Sequence, residues 1–222
     1  MQFLYHPDAG LPTVTVEGEA YRYIFRVRRR KSGDLIALRN LRDDYISFYR
    51  IESVTKREAV LILERREERT VMPPKRLHIG WCVTDPKTVE KSLPMLNELG
   101  VAKISFIYCD RSQKNFRPDF DRLRRILINS SQQCGRSGVM ELETADSVAG
   151  YLEKYPSSAV LDFGGTPLPC DTDIGSLLIG CEGGFSDSER KLFENLTIYG
   201  LDTPLILRSE SAVMTVCARL IL

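Results

Sequence analysis

The chain has 222 residues with a formal net charge of +1, and 43% of its residues are hydrophobic. This content is ample for a packed core in one large domain or two small ones, so a soluble globular protein is expected. No apolar run approaches the roughly 20 residues that span a bilayer, and the first residues lack a signal-peptide pattern. Both observations disfavour a membrane protein and predict a cytoplasmic one.

The cysteines and histidines disfavour two further classes of protein. The six cysteines are scattered without a CxxC pair, so we expect reduced thiols in the core, no disulfide framework and no metal site. The two histidines, His6 and His78, are far apart in the sequence. A hydrolase that uses a Ser–His or Cys–His pair therefore has little support.

The first third of the chain predicts a small β-barrel. Short runs of alternating apolar and polar residues, separated by turn residues, are typical of strands. Tyr21, Ile24 and Val27 also share a helical spacing, so a helix is the alternative for that run. The strands predicted in this way cover residues 14–16, 21–27, 35–38, 45–51 and 60–63.

A basic stretch lies within this region. It contains no acidic residue, and the aromatic side chains of Tyr21, Tyr23 and Phe25 interleave with its cations. Basic side chains neutralise phosphates and aromatic rings stack on bases, which favours contact with RNA. The alternative is an edge strand that its charges protect from aggregation. The cations expected to contact RNA are Arg22, Arg26, Arg28, Arg29 and Arg30.

A domain boundary is predicted near Met72. The mixed charges of residues 64–69, followed by two prolines, are typical of a linker. The predicted domains are therefore residues 1–72 and 73–222. In the second domain, an alternation of strands and helices predicts an α/β fold with a mostly parallel sheet and helices on both faces. The predicted strands are 77–83, 101–109, 139–142, 159–162, 177–179 and 205–207, and the predicted helices are 86–99, 119–134, 148–155, 186–193 and 212–220.

The strand at 177–179 ends in a glycine-rich turn. Gly183 and Gly184 permit backbone angles and a close ligand approach that a Cβ atom would block. Ser186 and Glu189 form a capping-box pattern that begins a helix. Ligands in open α/β sheets bind at the carboxyl ends of strands, which favours a binding turn here. The alternative is that the glycines make only a tight connection.

A second junction follows the strand predicted at 205–207. Ser209 or Ser211 would cap a final helix, which leaves Arg208 and Glu210 between the strand and the helix. Two opposite charges at such a junction call for a functional or an electrostatic reason.

The two junctions carry motifs, IGCEGGFSDSE at residues 179–189 and ILRSESA at residues 206–212. Together they closely resemble the paired signatures of the bacterial 16S ribosomal RNA uridine-N3 methyltransferase family, whose usual forms are IGPEGGFSxxE and LRTETA. Further motifs of that family are matched in the same order by FRVR and SGD within 25–34, ELGV at 98–101 and SSQQCGR at 130–136.

The resemblance implies a SPOUT-type α/β domain whose end folds into a trefoil knot, preceded by a PUA-like β-barrel. It implies that S-adenosylmethionine is the cofactor and that the protein methylates N3 of a specific uridine in the 16S ribosomal RNA of the small subunit. A homodimer is implied as well, because SPOUT sites generally need a partner subunit. The alternatives are a SPOUT methyltransferase of another RNA position and an RNA-binding module without catalysis.

The family's site residues carry over by motif. Arg208 would hold the charge that develops on uridine when N3 loses its proton, unless it only pairs with Glu210 or Glu182. Glu182 would orient the turn by accepting backbone hydrogen bonds, or would take the proton itself. Gln133 and Arg136 would meet RNA phosphate at a helix end, with a plain helix cap as the alternative for Gln133. The residues expected to bind the cofactor are Gly180, Glu182, Gly183, Gly184, Gly200, Leu205, Ile206 and Leu207.

The chain departs from the family's usual signatures in both junctions. Cys181 stands in place of the proline that would fix φ in the glycine-rich turn. Ser209 and Ser211 replace threonines and keep the hydroxyl group. The turn at Cys181 is therefore the part of the site that differs most from the family's pattern.

Overall fold

The computed structural model describes residues 2–113, 117–170 and 172–222. Contacts between Cα atoms divide the chain into two compact units. The first comprises Met1–Met72 with Ile128–Val139, and the second comprises Pro73–Leu127 with Met140–Leu222. The short segment Ile128–Val139, which the sequence prediction assigned to the domain 73–222, thus groups with the first unit.

The first unit contains a five-stranded mixed sheet. The strands are β1 Leu4–Tyr5, β2 Thr13–Glu17, β3 Leu35–Arg39, β4 Tyr45–Val54 and β5 Glu58–Glu68, in the spatial order β1-β3-β4-β5-β2. The pair β1–β3 is parallel and the other pairs are antiparallel. Buried and exposed side chains alternate along β2, as expected for a strand with one face on the core. The predicted small barrel is present as a half-barrel.

The segment between β2 and β3 corrects one strand prediction. Residues 21–27 are helical, because helix α1, Gly18–Tyr21, continues into a π-helical turn, Arg22–Val27. The strand predicted for this run was wrong and the helical alternative is correct. The side chains of Tyr21 and Ile24 are buried at the helical spacing, and the Tyr21 hydroxyl donates to the Thr55 carbonyl oxygen at 2.6 Å.

The second unit contains a six-stranded sheet in which every strand pair is parallel. The spatial order is β11-β9-β10-β6-β7-β8. The strands are β6 His78–Cys82, β7 Lys103–Ile107, β8 Glu141–Ala145, β9 Ala159–Pro167, β10 Ser176–Ile179 and β11 Ile198–Gly200. The helices are α2 Pro86–Leu99, α3 Phe120–Cys134, whose last turns belong to the first unit, α4 Val148–Lys154, α5 Asp187–Arg190 and α6 Ser209–Ile221.

Helices cover both faces of this sheet, as predicted. Successive residues of a strand point to opposite faces. A Cβ atom on Gly80 of β6 would lie 2.5 Å from the ring of Tyr151, so helix α4 packs closely on one face. The next residue, Trp81, donates from Nε1 to the Ser209 hydroxyl at 2.8 Å, which places helix α6 on the other face.

The strand predicted at 205–207 is absent. This run lies outside every strand, and Leu205 and Ile206 are 71% and 81% exposed. The edge of the sheet is formed instead by β11, Ile198–Gly200, which the sequence did not suggest. An apolar run predicts burial without saying what buries it, and these side chains border a cavity rather than the core of the sheet.

Candidate functional site at the carboxyl ends of the strands

The glycine-rich turn follows β10 and has the conformation that its sequence suggests. Gly184 has a φ of +65°, which favours glycine, and its N–H donates to the Cys181 carbonyl oxygen at 2.9 Å. The predicted capping box is confirmed: the Ser186 hydroxyl accepts from the N–H of Glu189 at 3.2 Å, and the Glu189 carboxylate accepts from the N–H of Ser186 at 2.9 Å. The helix that follows is short, because α5 passes into a 3-10 turn that ends at Phe193.

The second junction is held to the first by a side-chain hydroxyl. The predicted cap by Ser209 or Ser211 is wrong, because α6 begins at Ser209 with Arg208 as its N-cap and no side chain caps it. Ser209 instead donates from its hydroxyl to the Gly180 carbonyl oxygen at 2.7 Å. The same hydroxyl accepts from Trp81. A serine on the inner side of the first turn reaches the neighbouring strand end, so it binds there and leaves the helix uncapped.

A cavity of about 290 Å³ opens between these two junctions. Its lining includes every residue that was expected to bind the cofactor except Gly183. Gly183 lies outside the lining, and its carbonyl oxygen accepts from Nη1 of Arg111 at 2.8 Å. The predicted residues that the structure brings together are Gly180, Glu182, Gly184, Gly200, Leu205, Ile206 and Leu207.

One wall of the cavity was missed by the sequence reading. It comes from β9 and includes Asp162, Phe163, Gly164 and Gly165. A Cβ atom on Gly165 would lie 2.4 Å from the backbone carbon of Tyr199, so only glycine fits there. The signal was available, because a glycine pair at the end of a predicted strand is the same pattern that marked the turn after β10.

Gly200 of β11, which faces Gly165, is also tightly constrained. A Cβ atom on Gly200 would lie 2.9 Å from the carbonyl oxygen of Gly165. The two glycines therefore let β9 and β11 approach closely, and they leave backbone groups rather than side chains at the cavity wall.

An ion pair ties this wall to helix α5. Arg190 donates from Nε to Asp162 Oδ2 at 2.8 Å and from Nη2 to Oδ1 at 3.2 Å. The Asp162 side chain is only 9% exposed. A bidentate ion pair of this kind fixes the relative orientation of the two side chains as well as pairing their charges. Arg190 thus holds the helix after the glycine-rich turn in a fixed position relative to β9.

The loop after β7 holds the turn from the other side. The N–H of Asp110 donates to the Glu189 carboxylate at 2.9 Å, and the hydroxyl of Ser188 donates to the Asp110 carboxylate at 3.1 Å. Ser186 donates to the same carboxylate. Together with the contact between Arg111 and Gly183, these bonds give the turn a rigid frame on both sides.

The two residues expected to act in catalysis lie at the surface. The Arg208 side chain is 83% exposed, and its Nη1 lies 4.0 Å from the Glu210 carboxylate. This long ion pair is the alternative that the sequence analysis gave for Arg208. Arg208 lies between two residues of the cavity lining, Leu207 and Ser209. Glu182 is exposed in the lining, and among the described residues no hydrogen bond reaches its carboxylate. Both side chains can therefore turn toward a bound molecule without breaking a strong contact.

The residues expected to contact RNA belong to the first unit. All five arginines of the basic stretch are exposed, and Arg28 donates to the Tyr23 hydroxyl at 2.9 Å. Gln133 is exposed as well, whereas Arg136 is only 4% exposed. Gly135, with a φ of +92°, ends helix α3 and turns the chain so that the Arg136 side chain points inward. The sequence gave no sign of this burial.

A second polar cluster lies near the amino ends of the strands, away from the cavity. Nε2 of His78 lies 2.8 Å from the Ser105 hydroxyl, which donates to Glu143 at 2.6 Å. Burial lowers the pKa of His78 to about 4. Burial by itself would raise the pKa of Glu143, but hydrogen bonds from Lys103 and Lys154 hold it well below its usual range. The cluster is therefore a neutral imidazole beside a paired carboxylate.

The described part of the chain has neither a metal-binding cluster nor a membrane-spanning helix. Residues 2–113, 117–170 and 172–222 contain no group of three or more His, Cys, Asp or Glu side chains placed to hold a metal ion. Within the same ranges, no helix combines the length and the apolar character needed to cross a bilayer.

Solved structures of two bacterial proteins share this fold. The structure of a ribosomal RNA small subunit methyltransferase E from Neisseria gonorrhoeae, bound to S-adenosylmethionine, has a TM-score of 0.83 and 20% identity, and covers 98% of this chain and 95% of that one. A methyltransferase from Legionella pneumophila, also in complex with S-adenosylmethionine, has a TM-score of 0.83 at 24% identity and the same coverage. At these identities the likeness concerns the fold.

Sequence comparisons give the family. Residues 71–221 match a family model described as the RNA methyltransferase domain. The ribosomal RNA small subunit methyltransferase E of Helicobacter pylori is 42% identical over an alignment of 222 positions, gaps included, that covers 98% of each chain. Both matches include the two junctions that frame the cavity. The chain belongs to the family of the ribosomal RNA small subunit methyltransferases E.

Proposed function

We propose that this protein transfers the methyl group of S-adenosylmethionine to N3 of a uridine in the 16S ribosomal RNA of the small subunit. The observation that carries the proposal is the meeting of the two signature junctions at one cavity, joined by the hydrogen bond between Ser209 and Gly180. Family membership supports the reaction class, and the names of the relatives support the substrate.

The chemistry of the cavity lining supports the cofactor as its ligand. The volume of about 290 Å³ is close to the lower limit for ligand pockets, which run from roughly 300 to 1,000 Å³. Leu205 and Ile206 offer apolar side chains that are largely exposed and that a planar ring would cover. Gly165 and Gly200 expose backbone groups that can hydrogen-bond a polar edge. These four residues, with Gly180 and Leu207, would hold S-adenosylmethionine.

The cofactor supplies a methyl group that a positively charged sulfur already activates, so the protein's part is positioning and electrostatics. N3 of uridine carries a proton at neutral pH, and its loss spreads negative charge to O2 and O4. The exposed guanidinium of Arg208 presents fixed donors that stay charged and can bind two such acceptors. Glu182 is exposed in the cavity lining, which supports the proposal that it accepts the proton.

The RNA and the partner subunit extend the proposal beyond the cavity. The exposed arginines of the basic stretch in residues 22–30 supply the cations that neutralise phosphates. Uridine N3 lies on the Watson–Crick edge, so the target base must be unpaired or splayed out. Phe163 exposes its apolar ring at the edge of the cavity, which supports a homodimer whose second copy covers it.

The test compares three proteins: the unaltered chain, Arg208→Ala and Arg219→Ala. Arg219 is an exposed arginine of the same helix and serves as the matched control. Isothermal titration with S-adenosylmethionine is expected to show binding in all three. Methylation of small subunits that lack the modification is expected to be lost only in Arg208→Ala, by roughly a hundredfold or more. An unaltered protein that does not bind the cofactor would contradict the proposal and favour an RNA-binding module.

A further inference from the structure

Two thiols are in contact beneath the glycine-rich turn. The Sγ atoms of Cys109 and Cys181 lie 3.5 Å apart, although the two residues are 72 positions apart in the sequence. Cys109 follows β7 and Cys181 follows β10. We propose that Cys109 and Cys181 form an oxidisable dithiol, which a hydroperoxide converts to a disulfide that weakens binding in the adjoining cavity.

Each of the two cysteines lines a cavity and keeps a slight exposure, 3% for Cys109 and 6% for Cys181, through which a small oxidant can enter. Cys181 lines the cavity between the two junctions. Cys109 lines a second cavity of about 660 Å³ at the carboxyl ends of β7 and β8. A third thiol, Cys82, packs in the same cluster but is 0% exposed. Oxidation is therefore expected at Cys109 and Cys181 and not at Cys82.

The contacts among the three thiols favour negative charge on Cys109. The hydrogen bond shared with the Cys181 thiol lowers the pKa of Cys109, and a second from Cys82 acts in the same direction. The same contact raises the pKa of Cys181, and burial raises that of Cys82. The thiolate is the form that attacks peroxides, and Cys109 also lines the larger of these two cavities, so we assign Cys109 as the attacking thiol and Cys181 as the resolving one.

The reaction balances with the hydroperoxide as the oxidant. The Cys109 thiolate attacks one oxygen of the hydroperoxide and the O–O bond breaks, so that the sulfur becomes a sulfenic acid. The other oxygen leaves as hydroxide or alkoxide and takes up the proton that the Cys109 thiol had lost, to give water or an alcohol. The Cys181 thiol then attacks the sulfenic sulfur, the S–S bond forms, and the hydroxide that leaves takes the thiol proton as water. Two electrons pass from the two sulfurs to the peroxide.

Closing the bond must displace the sulfur of Cys109 or of Cys181, and Cys181 belongs to the glycine-rich turn. A disulfide is about 2.05 Å long, so the two sulfurs must approach by roughly 1.5 Å. The Cys181 carbonyl accepts from Gly184, and its neighbours Gly180 and Glu182 both line the cavity. A misplacement of about 1 Å at a reacting site can cost about a hundredfold in catalytic rate, and we expect a smaller loss of affinity in the cavity that the turn lines. This consequence rests on the proposed cofactor site, whereas the dithiol itself does not.

The test uses the full chain with Cys134→Ser and Cys170→Ser, which removes the two exposed thiols. The reduced protein is titrated with S-adenosylmethionine, treated with hydrogen peroxide, titrated again, and titrated a third time after dithiothreitol. The expected result is a Cys109–Cys181 link in the peptide mass map, a loss of affinity of roughly tenfold or more, and recovery on reduction.

A further variant identifies the order of attack. With Cys181→Ser added, peroxide should give no disulfide, and dimedone should trap a sulfenic acid on Cys109. The inference would be overturned if peroxide formed no link between Cys109 and Cys181, or if the link formed and the affinity for S-adenosylmethionine did not change. A reduced protein that fails to bind S-adenosylmethionine would count against the proposed function, and the peptide map would still decide whether the dithiol forms its bond.

Discussion

The hydroxyl of Ser209 donates to the carbonyl oxygen of Gly180 at 2.7 Å, and this bond joins the first residue of α6 to the end of β10. The same hydroxyl accepts from the indole of Trp81, which is 1% exposed. One oxygen therefore satisfies a buried donor and a strand-end acceptor, and it brings the two signature motifs together.

Removing this hydroxyl should affect stability and binding together. Ser209→Ala leaves the Trp81 N–H and the Gly180 carbonyl without their partner, which is expected to cost about 1–3 kcal/mol in the free energy of unfolding. The affinity for S-adenosylmethionine should fall as well. Urea denaturation and titration calorimetry measure the two effects. Ser209→Thr keeps the hydroxyl and should restore both, and Ser211→Ala, at an exposed position, should change neither.

The close approach of β9 and β11 should make Gly165 intolerant of substitution. In Gly165→Ala the new methyl group would lie 2.4 Å from the backbone of Tyr199. Because the clash is with backbone atoms, it can be relieved only if the two strands move apart. We expect a loss of about 1–3 kcal/mol of stability and loss of cofactor binding. Gly175→Ala is the control, since no atom lies within 4 Å of its added Cβ. Equal effects of the two variants would contradict the role given to Gly165.

Breaking the ion pair between Asp162 and Arg190 should show in binding more than in chemistry. Arg190→Ala leaves a carboxylate that is 9% exposed without its cation, which is expected to destabilise the fold by about 1–3 kcal/mol. Because the pair sets the position of α5, the KM for S-adenosylmethionine should rise while kcat changes less. Arg122→Ala, which breaks an exposed pair with Glu90, should change stability little and leave KM unchanged.

The polar cluster at the amino ends of the strands should make the protein sensitive to acid. Burial lowers the pKa of His78 to about 4 from 6.5, so between these values the unfolded chain binds a proton that the folded chain does not. Stability must then fall as the pH drops from about 6.5 to about 4, by at most about 1.4 kcal/mol per pH unit for one such group. The lowered pKa of Glu143 adds a loss in the same direction at lower pH.

Urea denaturation across this pH range checks the effect. His78→Gln cannot titrate, so its stability should depend less on pH. His6→Gln, which changes the other histidine, should keep the slope of the unaltered protein. Parallel slopes for all three proteins would exclude His78 as the source.

The sequence patterns predicted the elements whose stabilising contacts lie close together along the chain. The capping box of Ser186 and Glu189 was readable because both partners lie within one turn of chain. The parallel sheet followed from the alternation of strands and helices. The prediction for Leu205–Leu207 failed because an apolar run reports a need for burial and not the identity of the surface that meets it. The cap expected from Ser209 failed because its competing acceptor, Gly180, lies 29 positions away.

Only those parts of the cavity lining that lie within a single stretch of sequence were predicted. The glycines and the apolar run that line the cavity were visible as motifs, and their resemblance to a family assigned them a ligand. The wall from Asp162 to Gly165 and the contact between Cys109 and Cys181 depend on which strands are neighbours in the sheet. Strand order in a parallel sheet is set by crossovers across the whole chain, so no single stretch carries that information.

The grouping of Ile128–Val139 with the first unit limits how that unit can be transplanted. Ile128 and Val139 pack against the buried cluster of Phe3, Leu41 and Ile46. A gene fragment that encodes residues 1–72 alone would leave this apolar cluster open to water, and its product should aggregate or bind chaperones. The basic stretch is therefore not a portable module, and a fusion protein that borrows it must borrow the distant segment as well.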